Sequence, residues 1–285
     1  MKLYWRIIRP VNLLLTVFTQ LLFYLSASRT NPGLSYFDLS NIRFPEALTA
    51  TLACLFVAAG GYVINDIFDE HTDSINKPKK RIAHILIPGF ILYRYYFVLT
   101  AIGLLLGFLT GLGMGILCIA IAVLLYFYSS DLKGEYLMGN LLVSLLAGMV
   151  VYIASRGVFE VSKAYFAEYA SIAFFITFAR ELVKDLEDQE GDVAQGYSTF
   201  AINRGPKQTK ILAVLMLLIS VALLALVFYY SQQWVFLIVA SGTVIPLVLI
   251  ILGKLRTAKT PDAYHRVSTH LKQLMFLGLL SCLFC

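Results

Sequence analysis

The chain has 285 residues, of which 59% are hydrophobic and 14% charged, with a net charge of +6. Soluble domains carry about 25% charged residues, so a water-soluble globular fold is excluded and an integral membrane protein is expected. The apolar residues come in long runs rather than short alternating segments, which excludes a β-barrel and points to spanning helices of about 20 residues each.

In chain order the predicted spans are 11–28, 45–64, 91–110, 113–129, 137–155, 165–183, 210–230, 233–252 and 267–284. Arg6 and Arg9 precede the first, and no small-residue cleavage site follows it, so it reads as a span and not as a removed signal peptide. The third and fourth are joined only by "TGLGMG". With the N-terminus inside, 16 of the 23 basic residues fall in inner segments and 4 in outer ones. That bias places the N-terminus on the cytoplasmic side of the cell (inner) membrane. The net positive charge then describes an inner face against anionic lipid. No basic-aromatic motif points to nucleic acid. Cys54, Cys118, Cys282 and Cys285 lie in spans without metal-ligand spacing and read as packing residues. Gly103, Gly107, Gly111 and Gly115 have the small-xxx-small spacing of close helix packing.

The acidic residues carry the functional signal. Six of the nine Asp form two triplets, Asp66, Asp69, Asp73 and Asp185, Asp188, Asp192, both spaced +3 then +4. On a continuous helix each triplet falls within an arc of about 60°. Each follows the inner end of a span, the second and the sixth, so the two helices run in the same direction. "NLLL" at Asn12 and "NLLV" at Asn140 open the first and fifth spans. The expected fold is therefore all-α, a single transmembrane domain over 1–285. It consists of two parallel four-helix repeats and a final helix around a central cavity.

Two facing carboxylate clusters repel each other unless a cation intervenes. Carboxylate and amide oxygens are hard ligands suited to Mg²⁺, which is held by one or two carboxylates together with substrate phosphates. Lys77, Lys79, Lys80, Arg81, Lys133 and Lys184 lie beside the clusters as phosphate partners. One such cluster at a helix end reads equally well as interfacial solvation. Two of identical spacing at equivalent places favour a carboxylate–Mg²⁺–phosphate site. His71 lies within the first cluster on a different face. There is no Gly-rich nucleotide loop, and the Asp clusters lack the Gly and closing Glu of a calcium loop.

"NDIFDEHTD" at 65–73 and "DQEGD" at 188–192 resemble the two Asp motifs of the UbiA superfamily of intramembrane prenyltransferases. "RPVN", "YSSDLKGEYLMGN" and "GYSTFAINRG" extend the resemblance along nearly the whole chain. "RELVKDLEDQEGD" is most similar to the branch of digeranylgeranylglyceryl phosphate synthases and their bacterial relatives. The resemblance implies that Asn65, Asp66, Asp69, Asp73, Asp188 and Asp192 hold Mg²⁺ on a prenyl diphosphate. It implies catalytic roles for Asp66, Asp69, Asp188, Asp192, Lys133 and Tyr128, the last two contacting the diphosphate near the scissile bond. Asn12, Asn65, Lys77, Asn140, Arg180, Lys184 and Asp185 are the implied substrate-binding residues.

After the first motif the chain reads "NKPKKRIAHILIPG", keeping Pro78 but lacking the second Arg-Pro pair usual in the family. The implied reaction is Mg²⁺-dependent transfer of a geranylgeranyl-like group from its diphosphate to a lipid such as geranylgeranylglyceryl phosphate, by ionisation of the allylic diphosphate. Prenylation of a hydroxybenzoate or dihydroxynaphthoate acceptor is the alternative within the family. A cation-coupled transporter is the rival from another class, although the acids gather at one membrane face beside Lys.

Overall fold

A computed structural model of the chain describes residues 7–27, 42–70, 87–158 and 163–284. Among these the elements are helical, apart from one isolated antiparallel bridge between Ile42 and Val158. Asp73, Lys77, Lys79, Lys80, Arg81 and His71 lie outside the described residues.

The helices are α1 (Pro10–Ala27), α2 (Phe44–Phe68), α3 (Gly89–Thr110), α4 (Leu112–Ser130), α5 (Met138–Ile153), α6 (Lys163–Glu187), the short α7 (Gln189–Ala194), α8 (Phe200–Ser231), α9 (Trp234–Val239), α10 (Ile245–Thr257) and α11 (Pro261–Leu280). A π-helical turn, Ala240–Val244, joins α9 to α10. Pro246 stands just beyond it and lacks the N–H that a regular helix needs there. Each of the nine predicted spans corresponds to one of these helices, with α9 and α10 forming the eighth. Seven are long and apolar enough to cross a membrane, and α1 is apolar but shorter.

The remaining one, α6, is too polar by composition, and its packing explains why. It contacts α5, α8 and α11, and Phe166, Tyr169, Leu182 and Val183 are fully buried. A helix enclosed by protein is not required to be apolar towards lipid. Its C-terminal half therefore carries Arg180, Glu181, Lys184 and Asp185, whose charges serve the interior. The lipid-facing α3 and α4 instead expose Phe97, Leu105, Leu112 and Ile116.

Helices α8, α10 and α11 extend beyond the apolar limits expected for them, because their basic ends lie outside the most hydropathic stretch. In α8 the extension contains a break at Gly205 (φ 74°, ψ 170°), followed by Pro206. Between α3 and α4 the whole connection is Gly111, at φ 149° and ψ 161°, a conformation that costs a residue with Cβ heavily.

The rest of the glycine ladder packs as its spacing predicts. A Cβ on Gly103 would lie 2.7 Å from Val57 Cγ2 and 2.9 Å from Val57 N, and one on Gly107 would lie 2.8 Å from Cys118 Sγ. Gly103 thus sets how closely α3 approaches the backbone of α2. Gly103→Ala is expected to cost about 1–3 kcal/mol by overpacking, seen as a lower thermal midpoint of the protein in detergent. Gly113→Ala, where no atom lies within 4 Å, is the control expected to leave the midpoint unchanged.

The internal repeat is visible in the backbone. Arg9 (φ 51°) and Leu137 (φ 57°) both occupy the left-handed region, each three residues before the Asn of its repeat. The carbonyls of Asn12 and Asn140 accept from Thr16 Oγ1 at 3.1 Å and Ser144 Oγ at 2.5 Å. The same strained entry followed by the same Asn opens α1 and α5.

Candidate functional site

Both Asp motifs break the helix that carries them. Helix α2 ends at Phe68 and α6 at Glu187. The residue that follows is the central Asp of each motif: Asp69 at φ −82°, ψ 0°, and Asp188 at φ −94°, ψ 6°. Their N–H groups donate to Asn65 O at 2.9 Å and Lys184 O at 2.8 Å, equivalent bonds four residues back. The expectation of one continuous helical arc is therefore corrected. Asp185 lies in the last turn of α6, Asp188 at the break and Asp192 in α7. A spacing of +3 and +4 is compatible with a helix and does not reveal a turn placed at its middle member.

Around these breaks the polar side chains converge. Asp66, Asp69, Glu181 and Asp192 are buried, as are Asn65 and Asn140. Lys133 Nζ lies 2.6 Å from both carboxylate oxygens of Asp69. Asn65 Nδ2 donates to the same carboxylate at 3.0 Å. Arg9 Nη2 donates to Asp66 Oδ1 at 2.7 Å and to Asn65 Oδ1 at 3.0 Å. Asn140 Nδ2 donates to Asp185 Oδ2 at 2.8 Å. Buried carboxylates are tolerated when paired and hydrogen-bonded in this way.

Lys133 is held by the connection between α4 and α5, where a tight turn, Leu132–Gly134, follows α4. Gly134 O accepts from Ser198 N at 2.7 Å, and a side chain on Gly134 would collide with the Tyr197 ring. The "YSSDLKGEYLMGN" and "GYSTF" segments are thus docked on each other, and that contact fixes Lys133 beside Asp69. Tyr128, on the last turns of α4, lies within electrostatic reach of Glu181, Asp69, Asp185 and Arg9.

The two halves of the site feel one another. Burial first, and Asp188 next, push the Asp192 carboxyl up to about 6, with Asp69 adding to the effect and Lys133 and Lys184 opposing it. A carboxylate so raised is held back from ionising by its neighbours, a conflict that a cation relieves. Among the described residues no three acidic, imidazole or thiol groups converge closely enough to hold a metal on their own. Lys133 and Arg9 now supply the positive charge on Asp69 and Asp66.

The UbiA prenyltransferase family profile matches residues 15–280. The chain belongs to the UbiA prenyltransferase family. It is 34% identical over 220 residues to a digeranylgeranylglyceryl phosphate synthase of Methanothermobacter thermautotrophicus, covering 77% of this chain and 73% of that protein. A synthase of the same name from Methanobrevibacter smithii is 32% identical over 290 residues, covering 99% and 96%. A chain solved in work on digeranylgeranylglyceryl phosphate synthase in membranes superposes with a TM-score of 0.76 at 25% identity, covering 99% of this chain and 96% of that one. A UbiA homologue from Archaeoglobus fulgidus bound to GPP and Mg²⁺ shares the fold, with a TM-score of 0.69 at 18% identity, covering 98% and 99%. This UbiA-family chain is accordingly a multi-pass membrane prenyltransferase.

Three charged side chains with polar partners in the interior were not singled out as ligands or catalytic groups from the sequence. Arg9 was marked only as a basic residue before the first span, and its partners Asn65 and Asp66 lie more than fifty residues away. Glu181 is a buried carboxylate that receives Arg180 Nη1 at 2.6 Å and Lys184 Nζ at 3.0 Å. Those two cations, expected to meet phosphate, are engaged with it. Lys272, on the final helix, donates to Asn12 Oδ1 at 3.3 Å. A charge inside a predicted span was the available signal for Glu181 and Lys272.

Proposed function

We propose that this prenyltransferase transfers a polyprenyl group from its diphosphate to a glycerol-phosphate lipid, with Mg²⁺ as cofactor and the site on the cytoplasmic side of the membrane. One observation carries the reading of the chemistry. Two Asp motifs in repeated positions break their helices at the same central residue, and a lysine is fixed across one of them. The similarity to digeranylgeranylglyceryl phosphate synthases carries the choice of acceptor.

The chain's own residues divide the work. Asp66, Asp69, Asp188 and Asp192, with Asn65, are the oxygen donors for the cation, and Asp73 belongs to the same set by its motif. Arg9 orients Asn65 and Asp66, and Asn65 in turn orients Asp69. Lys133 places an ammonium where diphosphate oxygens arrive, and Tyr128 adds a phenol beside it. Lys184, held by Glu181, acts on Asp185, which Asn140 fixes, and Lys77 is assigned to the anion by its place in the sequence alone. Bound Mg²⁺ supplies electrostatic stabilisation of the leaving diphosphate. The allylic C–O bond breaks and its electron pair leaves with the diphosphate. The acceptor hydroxyl oxygen then bonds to the allylic carbon and gives its proton to the released diphosphate. The buried setting keeps water from the allylic cation.

The deciding experiment uses the purified chain in lipid nanodiscs with geranylgeranyl diphosphate and Mg²⁺. Geranylgeranylglyceryl phosphate, dihydroxynaphthoate and hydroxybenzoate are offered separately, and released diphosphate and prenylated product are measured. Turnover is expected with the glycerol-phosphate lipid and to cease on chelation of Mg²⁺. Turnover with an aromatic acceptor alone would assign the chain to quinone-precursor prenylation instead.

A further inference from the structure

Lys272 is the charge in this molecule whose position is hardest to account for. It lies in the interior of α11, about 17 Å from the start of that helix at 1.5 Å per residue, within a stretch long and apolar enough to cross the membrane. Among the described residues no carboxylate pairs with it, and it donates to the neutral Asn12 amide oxygen.

A second cation, Arg180, is close enough to Lys272 to repel it electrostatically. Arg180 gives Nη1 to Glu181, but its buried Nε has no partner. Arg180 and Arg9 both act electrostatically on Tyr62, and the Arg9 guanidinium lies 5.0 Å from the Tyr62 ring centroid. Arg9 and Arg180 each have a carboxylate, Asp66 and Glu181, whereas Lys272 has only the neutral Asn12, and Arg180 keeps a buried Nε without a partner. Charges at this depth are costly and mark binding sites or pathways. Like charges out of water add to that cost unless an anion completes the set.

The surroundings of Lys272 specify the anion's carrier. Lys272 lines an apolar groove of about 620 Å³ between α1, α10 and α11, with Leu15, Pro246, Ile250, Phe276 and Leu279 on its walls. Phe276 stacks on Phe18 of α1 at 5.2 Å, which closes one side. A cationic head beside a long apolar channel suits an anionic amphiphile. An aromatic acid would use the cations and leave the groove unfilled. The prenyl diphosphate has its own seat at Asp69 and Lys133.

We propose that Lys272 and Arg180 seat the phosphate of the lipid acceptor, with its hydrocarbon chain in the groove between α1, α10 and α11. This rests on the glycerol-phosphate reading of the acceptor given above. Lys272 is then a specificity-determining residue: it selects a phosphate-bearing lipid without touching the donor.

Steady-state kinetics in nanodiscs test it, with geranylgeranylglyceryl phosphate and its dephosphorylated alcohol as acceptors. Lys272→Gln is expected to raise the KM for the phosphate lipid by about 10–100-fold, the range for losing a charged hydrogen-bond partner. The KM for geranylgeranyl diphosphate is expected to stay within about twofold, which also reports an intact fold. Lys272→Arg restores most of the acceptor affinity. The alcohol is used equally poorly by wild type and Lys272→Gln, because the lost contact is to the phosphate. If the wild type turns over the phosphate lipid and Lys272→Gln leaves its KM unchanged, or raises the donor KM instead, the seat is wrong while the acceptor reading stands. A wild type that ignores the phosphate lipid overturns both.

Discussion

Asp69→Ala is expected to lower prenyl transfer by at least about 10³-fold, the largest effect of any single substitution in the chain. A cation on a leaving diphosphate is worth several kcal/mol, and each 1.36 kcal/mol is about tenfold in rate. Asp69 is only 4% exposed. It stands at the helix break with both oxygens on Lys133 and one also on Asn65. Its removal takes away an oxygen donor for the cation and leaves Lys133 without its carboxylate partner. Asp188→Ala removes the counterpart at the second break, and a loss of similar size is expected. Asp69→Asn separates charge from shape: it can still accept from Lys133, but it is a weaker ligand. Its turnover should recover partly as Mg²⁺ is raised, whereas Asp69→Ala should not. Product formation from labelled donor across a Mg²⁺ titration is the measurement. Turnover within tenfold of wild type for both Ala variants would sink the assignment of these carboxylates.

Hydropathy averaged over about 20 residues is enough to place the spanning helices, seven of which, among the described residues, are long and apolar enough to cross a membrane. Helices α3 and α4, joined by Gly111 alone, follow from that rule. Helix α6 shows its limit. Its interior faces protein, so its polar residues weaken the apolar signal while making it the centre of the site. The Asp pairs and the two Asn entries were legible because a repeat shows itself twice. What stayed hidden was long-range. No local pattern ties Arg9 to Asp66 or Lys272 to Asn12, and the i,i+3 spacing of Glu181 and Lys184 does not say whether that lysine meets the carboxylate or a phosphate. Each is a contact between helices distant in the chain or a choice among nearby charges. The break at Asp69 and Asp188 was hidden for another reason: the Asp spacing fits an unbroken helix, and no Gly or Pro stands at the break itself. Asp73 and Lys77, read from the Asp spacing and the adjacent Lys cluster, fall outside the described residues.

Lys133→Gln is the second large effect, and its form differs from that of Asp69→Ala. Lys133 is fixed by the turn after α4 and by the docking of Gly134 against Tyr197 and Ser198. Its ammonium is therefore placed before the donor arrives. Preorganised donors of this kind act on charge that develops as the bond breaks, and losing one costs about 10²–10³ in kcat. The expected result is a fall of that size in kcat, with a much smaller change in donor KM, because the cation still binds the ground-state diphosphate. Lys133→Arg keeps the charge but not the compact ammonium that meets both Asp69 oxygens, so partial recovery is expected. A double variant decides whether Lys133 acts on the substrate or only balances Asp69. If its sole task were to neutralise that carboxylate, Lys133→Gln combined with Asp69→Asn would regain activity relative to Lys133→Gln alone. The ammonium lies on Asp69 and also acts electrostatically on Asp192 of the second motif. The double variant is accordingly expected to be no more active than the worse single one, since each then lacks a separate part of the same electrostatic seat.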